Sequence, residues 1–461
     1  MEEIMEKVVE SNQIELRSFL NGRKVSRYQY GIFFLCFLIL LLDGYDTVVV
    51  GFIAPALRHG WNLNNGDLAT MFGMGLAGLT LGSFFSGPVA DRFGRKGVIV
   101  GSIVLFGIVS LISAWSPSIG VLTLLRFLTG LGLGGAMPNT YTLAAEFCPD
   151  RLRSTLVAPI GCALGGGGAL GGFFASHLIG NYGWPSMLIV GGILPLILLP
   201  VLLIGLPESI RYRVIKGKGQ KNRDKLLQTM QAVAPDVDFT GKQFVIDEAA
   251  PVGTPVRGLF APGLIGGTIF LWIAAFACLL VVYFLGNWLP TLIIGTGIPL
   301  SRASMMTATY LTGNTLGAIL LGYYMDRRNP QYVLAIAFAL AGIAMASFGH
   351  LIDQPALALV ALFITGVGTG GTMTGTNILS AGFYPTPSRA TGVSWTLAMG
   401  RIGSVVGSVI GGAMLGAHWG IAPIFAAIAV PIFVAALAML ALSRYRARVR
   451  LRAAQNEALP A

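Results

Sequence analysis

Charge-free apolar runs long enough to cross a bilayer recur from one end of this chain to the other, and they leave few folds open. The segment 187–206 contains nothing but aliphatic residues, methionine, glycine and proline. Crossing the hydrocarbon core takes about 20 residues of α-helix, because lipid offers the backbone no hydrogen-bond partners and the segment must satisfy its own. A β-barrel would show strands of about 10 residues with alternating polarity, which such a run contradicts. Only 11% of the 461 residues are charged and the mean hydropathy is +0.73, whereas soluble domains carry roughly 25% charged residues. A water-soluble enzyme is therefore excluded.

Apolar windows predict spans near 29–57, 67–88, 97–115, 118–144, 155–178, 186–206, 263–286, 303–325, 331–349, 355–380, 391–416 and 421–442. The expected fold is an all-α membrane protein of twelve transmembrane helices. The gap 207–262 is rich in Lys, Arg, Asp and Pro and separates six spans from six. It reads as a cytoplasmic linker between an N-terminal six-helix half, 1–206, and a C-terminal half, 263–461.

Net charge +11 reports orientation in such a chain before it reports nucleic acid, and no nucleic-acid partner is expected. Of the 31 Lys and Arg, 27 fall in the two termini and in alternate loops. The opposite loops hold Arg58 and Arg302, and Arg126 and Arg401 lie inside apolar spans. The positive-inside rule puts both termini in the cytoplasm, which requires an even number of spans. The first 27 residues are too polar for a secretory signal. Cys36, Cys148, Cys162 and Cys278 show neither a disulfide pattern nor metal spacing, and His59, His177, His350 and His418 fall at extracytoplasmic span ends. No metal or cofactor is expected.

The halves repeat each other. The stretch from Phe127 aligns without gaps on that from Phe363, sharing Thr129/Thr365, Gly130/Gly366, Gly132/Gly368, Gly134/Gly370, Gly135/Gly371, Met137/Met373, Thr140/Thr376, Phe147/Phe383, Pro149/Pro385 and Arg153/Arg389. Gly87, Asp91 and Arg92 after span two recur as Gly322, Asp326 and Arg327 after span eight. Duplicated halves are a common plan of secondary transporters.

Asp43 and Asp46 are acids deep within span one, about 20 Å along the helix from Gln29 in the case of Asp43. With Thr47 they form one polar stripe. A carboxylate at that depth costs at least about 2.5 to 3.5 kcal/mol unless paired, hydrated or protonated; burial and a like charge favour protonation, and a nearby arginine opposes it. That is the chemistry of a proton carrier, with a structural ion pair as the alternative. Arg126 in span four is the expected partner of one of the two aspartates. Arg401 in span eleven lies on a stripe with Ser394, Ser404 and Ser408 and suits planar recognition of a carboxylate. Span ten puts Thr365, Thr369, Thr372 and Thr376 on one face, and span seven stacks Phe276, Tyr283, Phe284 and Asn287 with Leu280. Of these, Thr372, Thr376, Tyr283 and Asn287 are the expected substrate contacts beside Arg401. Glu146, followed by Pro149 and Arg153, is expected to form an ionic lock at the cytoplasmic end of span four.

The loop GPVADRFGRKG, 87–97, resembles the loop between spans two and three of the major facilitator superfamily. That resemblance implies a conformational latch at Asp91 and Arg92, alternating access, and a proton gradient as driving force. The sequence Asp43-Gly44-Tyr45-Asp46 resembles the D-G-[FY]-D signature of the aromatic acid:proton symporter family, supported by charges at Arg126, Glu146, Arg389 and Arg401. It implies import of benzoate or hydroxybenzoate-type acids through a bacterial inner membrane, by a monomer whose partners are the acid, protons and the bilayer. PESIRY, 207–212, is similar to the end of span six in several facilitator families. The second copy of the loop motif departs from the first, with Asn329-Pro330 where the first has Gly94-Arg95, which implies a weaker C-terminal latch. A drug/proton antiporter of the same fold is the rival reading, disfavoured because span five has GCALGGGGALGG in place of G-P-x-x-G-G; another organic anion is the other. An intramembrane enzyme would need a deep nucleophile and base or metal ligands, and neither is present.

Overall fold

The structure, a computed structural model, describes residues 13–216, 219–245, 256–261 and 263–457. Twelve long helices stand where the apolar windows predict them: α1 (Arg27–Trp61), α2 (Asn65–Phe93), α3 (Arg95–Ser113), α4 (Ile119–Glu146), α5 (Arg153–Tyr182) and α6 (Pro185–Gly205). After the linker follow α7 (Ile265–Ile294), α8 (Leu300–Arg327), α9 (Pro330–Leu351), α10 (Pro355–Phe383), α11 (Thr386–Gly416) and α12 (Ile421–Glu457). The largest departures are at two ends. α7 runs on through Trp288 and Pro290, whose side chains are buried. α12 continues past Leu442 as an Arg- and Ala-rich helix, residues with high intrinsic helix propensity but no apolar signal.

Eleven of the twelve helices are apolar enough by composition to span a membrane; α8 is the twelfth. Its polarity is largely masked. Thr307, Thr309, Thr312 and Thr315 each turn their hydroxyl back to the carbonyl four residues earlier, at 2.8 to 3.1 Å. A hydroxyl satisfied by its own helix costs little in lipid or among packed helices.

The contacts cluster into two compact units. One gathers the described residues of Met1–Thr47, Ala77–Gly167 and Leu188–Ala250; the other gathers those of Val48–Leu76, Gly168–Met187 and Pro251–Ala461. Helices α1, α2 and α5, and the first turn of α6, are thus divided between the two.

In the first unit α3 packs along α4, and α2 meets α4 through glycines. A side chain at Gly78 would strike the Phe127 carbonyl, at Gly82 the Leu131 carbonyl, and at Gly134 the Leu79 carbonyl. The same seam is built in the second unit between α8 and α10: Gly313 meets the Phe363 carbonyl, Gly317 the Val367 carbonyl and Gly370 the Asn314 carbonyl. The register is the one the sequence repeat gives. Small residues let helices approach closely where no hydrophobic effect drives them together, and each half spends its aligned glycines on that approach.

The segment 207–262 is more than a linker. Its described residues form helices Ile210–Lys216 and Gln220–Val233, a strand β2 (Gln243–Val245) and a 3-10 turn Val256–Phe260; residues 217–218, 246–255 and 262 lie outside the described residues. β2 pairs in parallel with β1 (Gln13–Glu15), just before the short helix Leu16–Asn21. Phe19 and Phe239 are buried edge to face, 5.6 Å between centroids. Arg17 and Asn21 both bind Asp150 in the turn after α4, and Arg23 pairs with Asp236, holding that carboxyl below its ordinary range. The N-terminal segment and the linker so form a folded cap joined to the α4–α5 turn of the same unit.

In the second unit α7 packs on α11, α8 on α10 and α9 on α12. The Trp61 ends of α1 and α2 are sealed into this unit. Phe72 meets Trp288 edge to face at 5.1 Å, the Trp288 indole donates to the Ser408 carbonyl at 2.8 Å, and Gly51 lies against Gly286 and Asn287.

Candidate functional site

The polar stripe of α1 is buried: Asp43 is 2% exposed and Asp46 3%. Thr47 donates to Asp43 Oδ1 at 3.3 Å, so the i, i+4 pairing expected from the sequence is present. Asp46, three positions on, faces α3 and α4. Its Oδ2 is 3.4 Å from Arg126 Nη1, and Arg126 is itself only 3% exposed. Of the two aspartates, Asp46 is therefore the one ion-paired with Arg126. α1 can lie close enough to α5 for this because Gly44 sits on the Leu164 backbone and Gly167 on the Leu41 carbonyl.

Two members of this network were not singled out from the sequence. Ser110 Oγ donates to Asp46 Oδ1 at 2.7 Å, and Arg126 Nη2 donates to Ser110 Oγ at 3.3 Å and to Ser113 Oγ at 3.1 Å. The available signal was their i, i+3 spacing in an otherwise apolar helix. It is a weak one, because serines in such helices ordinarily bond their own backbone.

At the Glu146 end of α4 the same unit holds a second carboxylate with charged and polar neighbours. Arg95 Nε donates to its Oε1 at 2.7 Å and Ser209 donates to its Oε2; the Arg153 side chain lies outside the described residues. Arg95 comes from the loop motif and Ser209 from PESIRY, so Glu146 joins the two motifs. Glu208 adds a second tie, accepting from the Lys96 backbone N–H at 3.1 Å. This carboxylate caps the N-terminus of α3, where unsatisfied amides and the helix dipole favour an anion. Gly94, at φ +87, makes room, since a Cβ there would collide with Glu208. Asp91 and Arg92 are exposed at the end of α2 and stand apart from the Asp46 network; the Arg92 carbonyl accepts from Tyr212 at 2.9 Å. In the second copy of the motif the departure has a local reason: Asn329 Oδ1 accepts from the Gln331 N–H at 3.1 Å with Pro330 in the first turn. α9 is capped by its own neighbour where α3 borrows Glu208.

In the second unit Arg401 on α11 is half-buried and its Nη1 donates to Tyr283 OH on α7 at 3.5 Å. Asn287, one turn beyond Tyr283, is buried and donates to Ser408 Oγ at 2.8 Å. α7 and α11 are brought together where Gly403 meets the Phe276 carbonyl and Gly407 the Leu280 carbonyl. Ser404 spends its hydroxyl on the Arg401 carbonyl and Ser394 is exposed, so the serine stripe does not converge on the guanidinium. Thr365, Thr369, Thr372 and Thr376 of α10 are buried. Thr372 approaches Cys278 Sγ at 3.6 Å, Thr369 donates to Tyr310 OH at 3.4 Å and accepts from Asn314 at 3.5 Å, and Thr376 Oγ1 has no hydrogen-bond partner among the described residues. Cys278, Tyr310 and Asn314 were not singled out from the sequence. Each unit thus holds one arginine at membrane depth, ion-paired in the first and hydrogen-bonded to a tyrosine in the second.

Residues 32–250 match the family model for sugar (and other) transporters, and residues 271–460 match that of the major facilitator superfamily. The chain is 41% identical over 422 residues to a 4-hydroxybenzoate transporter of Pseudomonas putida, covering 91% of this chain and 93% of that one. It is 39% identical over 436 residues to a gallate transporter of the same organism, covering 94% and 96%. A crystal structure of a D-xylose-proton symporter shares the fold, with a TM-score of 0.69 at 18% identity over 89% of this chain and 97% of that one. With relatives of that similarity along nearly its whole length, the chain belongs to the major facilitator superfamily of membrane transporters, among the aromatic acid transporters.

Proposed function

We propose that the protein is a proton-coupled symporter that carries a hydroxylated benzoate into a bacterial cell by alternating access, as a monomer in the inner membrane with both termini in the cytoplasm. The observation that carries the coupling is the buried Asp46–Arg126 pair beside Asp43. Asp46 is a titratable carboxylate at membrane depth whose charge is balanced by Arg126 within one unit, with a second carboxylate three positions away, and cycling a proton is what such groups are suited to do. Support for the substrate class comes from the two relatives, which by name carry 4-hydroxybenzoate and gallate. Both compounds are benzoates with a hydroxyl para to the carboxylate.

Within this reading Asp43, Asp46 and Arg126 couple to protons, and Glu146 with Arg95 is the cytoplasmic lock. Asp91 and Arg92 latch in another stage of the cycle. Arg401 receives the substrate carboxylate through its planar fork, steadied by Tyr283. Asn287, Thr372 and Thr376 offer polar contacts to the ring substituents. The halves 1–206 and 263–461 act as the two moving bodies, with 207–262 between them.

Right-side-out vesicles with an inward proton gradient test the proposal. Labelled 4-hydroxybenzoate should accumulate, and collapsing the gradient with an uncoupler should release it. Asp43→Asn or Asp46→Asn should abolish accumulation while leaving some exchange, because an amide cannot cycle a proton. Normal accumulation in both variants would remove the assigned carriers, and an outward flux driven by the gradient would mark an antiporter.

A further inference from the structure

The hydroxyls of Ser110 and Ser113 lie three positions apart on α3 and are both fully buried, yet they are used differently. Ser113 donates to the Val109 carbonyl at 2.7 Å, the ordinary fate of a serine in a membrane helix. Ser110 sends its proton across to Asp46 Oδ1 at 2.7 Å and accepts from Arg126 Nη2 at 3.3 Å. It therefore touches both members of an ion pair whose own N–O separation is 3.4 Å. The opposite side is held clear by Gly191 on α6. A Cβ there would sit 3.1 Å from Asp46 Oδ1, 3.2 Å from the Tyr45 ring and 3.3 Å from Ser110 Oγ. Among the described residues, the charged and titratable groups beside Asp46 include Arg126 from α4 and Tyr45 from α1 itself, with Asp43 three positions back on the same helix. α3 contributes the two hydroxyls and α6 the bare glycine.

We infer that Ser110 is a positioning residue for proton coupling, whose hydroxyl holds the ionised Asp46 against Arg126 and turns over when Asp46 takes its proton. This rests on the proposed coupling role of Asp46. The hydrogen count closes within the network. With Asp46 ionised, Ser110 O–H points to the carboxylate and Arg126 N–H to the serine oxygen. When a proton from the outer medium binds Asp46, the new acid O–H is donated to Ser110 Oγ. The serine's own proton then turns to the carbonyl one helical turn back, as the Ser113 proton already does. Release reverses the two rotations, and no covalent bond other than the carboxyl O–H is made or broken. Losing the Ser110 hydroxyl removes a donor that favours the charged carboxylate, so the proton is held more tightly.

The test is the external-pH profile of 4-hydroxybenzoate uptake in right-side-out vesicles for the wild type and for Ser110→Ala, Ser110→Thr, Ser113→Ala and Asp46→Asn. Ser110→Ala should move the alkaline limb upward by about one pH unit, roughly a tenfold change in proton affinity for one lost bond to a charged acceptor. It should slow gradient-driven uptake more than counterflow, in which no net proton moves. Ser110→Thr keeps the hydroxyl and should bring the limb back to within a few tenths of a unit. Ser113→Ala removes an acceptor of Arg126 but no donor to Asp46, and should shift the limb less than half as far. If Asp46→Asn abolishes accumulation while the Ser110→Ala profile superimposes on the wild type, the inference is overturned and the coupling role of Asp46 stands. A uniform loss at every pH, equal in counterflow and not rescued by Thr, also overturns it, since that is a packing defect. Normal accumulation by Asp46→Asn would overturn the coupling reading and the role of Ser110 with it.

Discussion

Neutralising Asp46 and neutralising Arg126 should have unequal costs, and the inequality should depend on pH. The two charges are 3.4 Å apart with side chains 1% and 3% exposed. At an effective dielectric of about 20 their attraction is about 5 kcal/mol, and removing one partner of such a buried pair typically costs about 3–5 kcal/mol. Asp46→Asn leaves Arg126 charged, and a guanidinium does not give up its proton at any working pH; the variant should lose that amount throughout. Arg126→Met leaves a carboxyl that can limit its loss by binding a proton. That route becomes cheaper as the medium is acidified, by about 1.36 kcal/mol per pH unit. Unfolding of the purified protein in mixed micelles, at both pH values, measures each deficit. Asp46→Asn should be equally weak at the two pH values, Arg126→Met should recover on acidification, and the double variant should lose less than the sum of the singles, because neither charge of the pair is then left buried without its partner. A double variant as unstable as the sum of the singles, or an Arg126→Met deficit indifferent to pH, would refute the ion pair as the source of the energy.

Reporter fusions at Arg223 and Arg450 should both read cytoplasmic; an external signal from either breaks the even span count. Arg401→Ala should weaken binding of an aromatic acid by about 2 to 5 kcal/mol, roughly 30-fold or more, and spare its neutral amide, with Lys rescuing in part; equal losses for acid and amide would place the substrate anion elsewhere. Gly370→Val should reduce folded protein, since its side chain would strike the Asn314 carbonyl, while Gly87→Ala, with nothing within 4 Å of the added atom, should leave stability intact. Phe239→Ala, which empties a site 2% exposed, should cost about 3–5 kcal/mol of cap docking and open 220–245 to protease; unchanged digestion would show that the cap is held by its polar contacts instead.

The spans were legible because a membrane helix announces itself by composition over about 20 residues, and ten of the twelve follow the apolar windows closely at both ends. The exceptions occur where composition and conformation part. α12 extends as a basic helix beyond its apolar stretch, and α7 continues through residues whose burial comes from packing against α2 and α11. The pairing of Arg126 with an α1 aspartate was legible because a buried guanidinium needs an anion and few were available. Its choice of Asp46 was not, since that depends on which face of α1 meets α4. Ser110 was illegible for a related reason: one hydroxyl in an apolar helix gives the same local signal whether it bonds its own backbone or bridges an ion pair. The cap was missed because β1 and β2 are three residues each, too short for a period to register, and their partners lie far apart in sequence.

The repeat also shows what duplication kept and what it did not. Leu41 beneath Gly167 and Phe276 beneath Gly403 are the same contact in the two units. In that register Asp43 matches Cys278 and Asp46 matches Val281, and the aligned helices put Leu362 where the first half has Arg126 and Gly165 where the second has Arg401. The glycine seams that set helix spacing recur, as do the charges of the loop motif, whereas Asp43, Asp46, Arg126 and Arg401 within the spans do not. Backbone approach is required equally of both halves, so a glycine lost from either would be felt as a collision. A buried charge is costly wherever it sits, and it persists only where its counter-charge or its ligand is also present. The first half retains a complete internal set, Asp46 with Arg126 and Ser110, which suits a group that must be neutralised in the absence of substrate. The second half retains Arg401, whose Nη1 donates to Tyr283 OH, and its planar fork suits a carboxylate. On the proposed reading, protons are handled by the charges of the first half and the substrate carboxylate by Arg401 in the second.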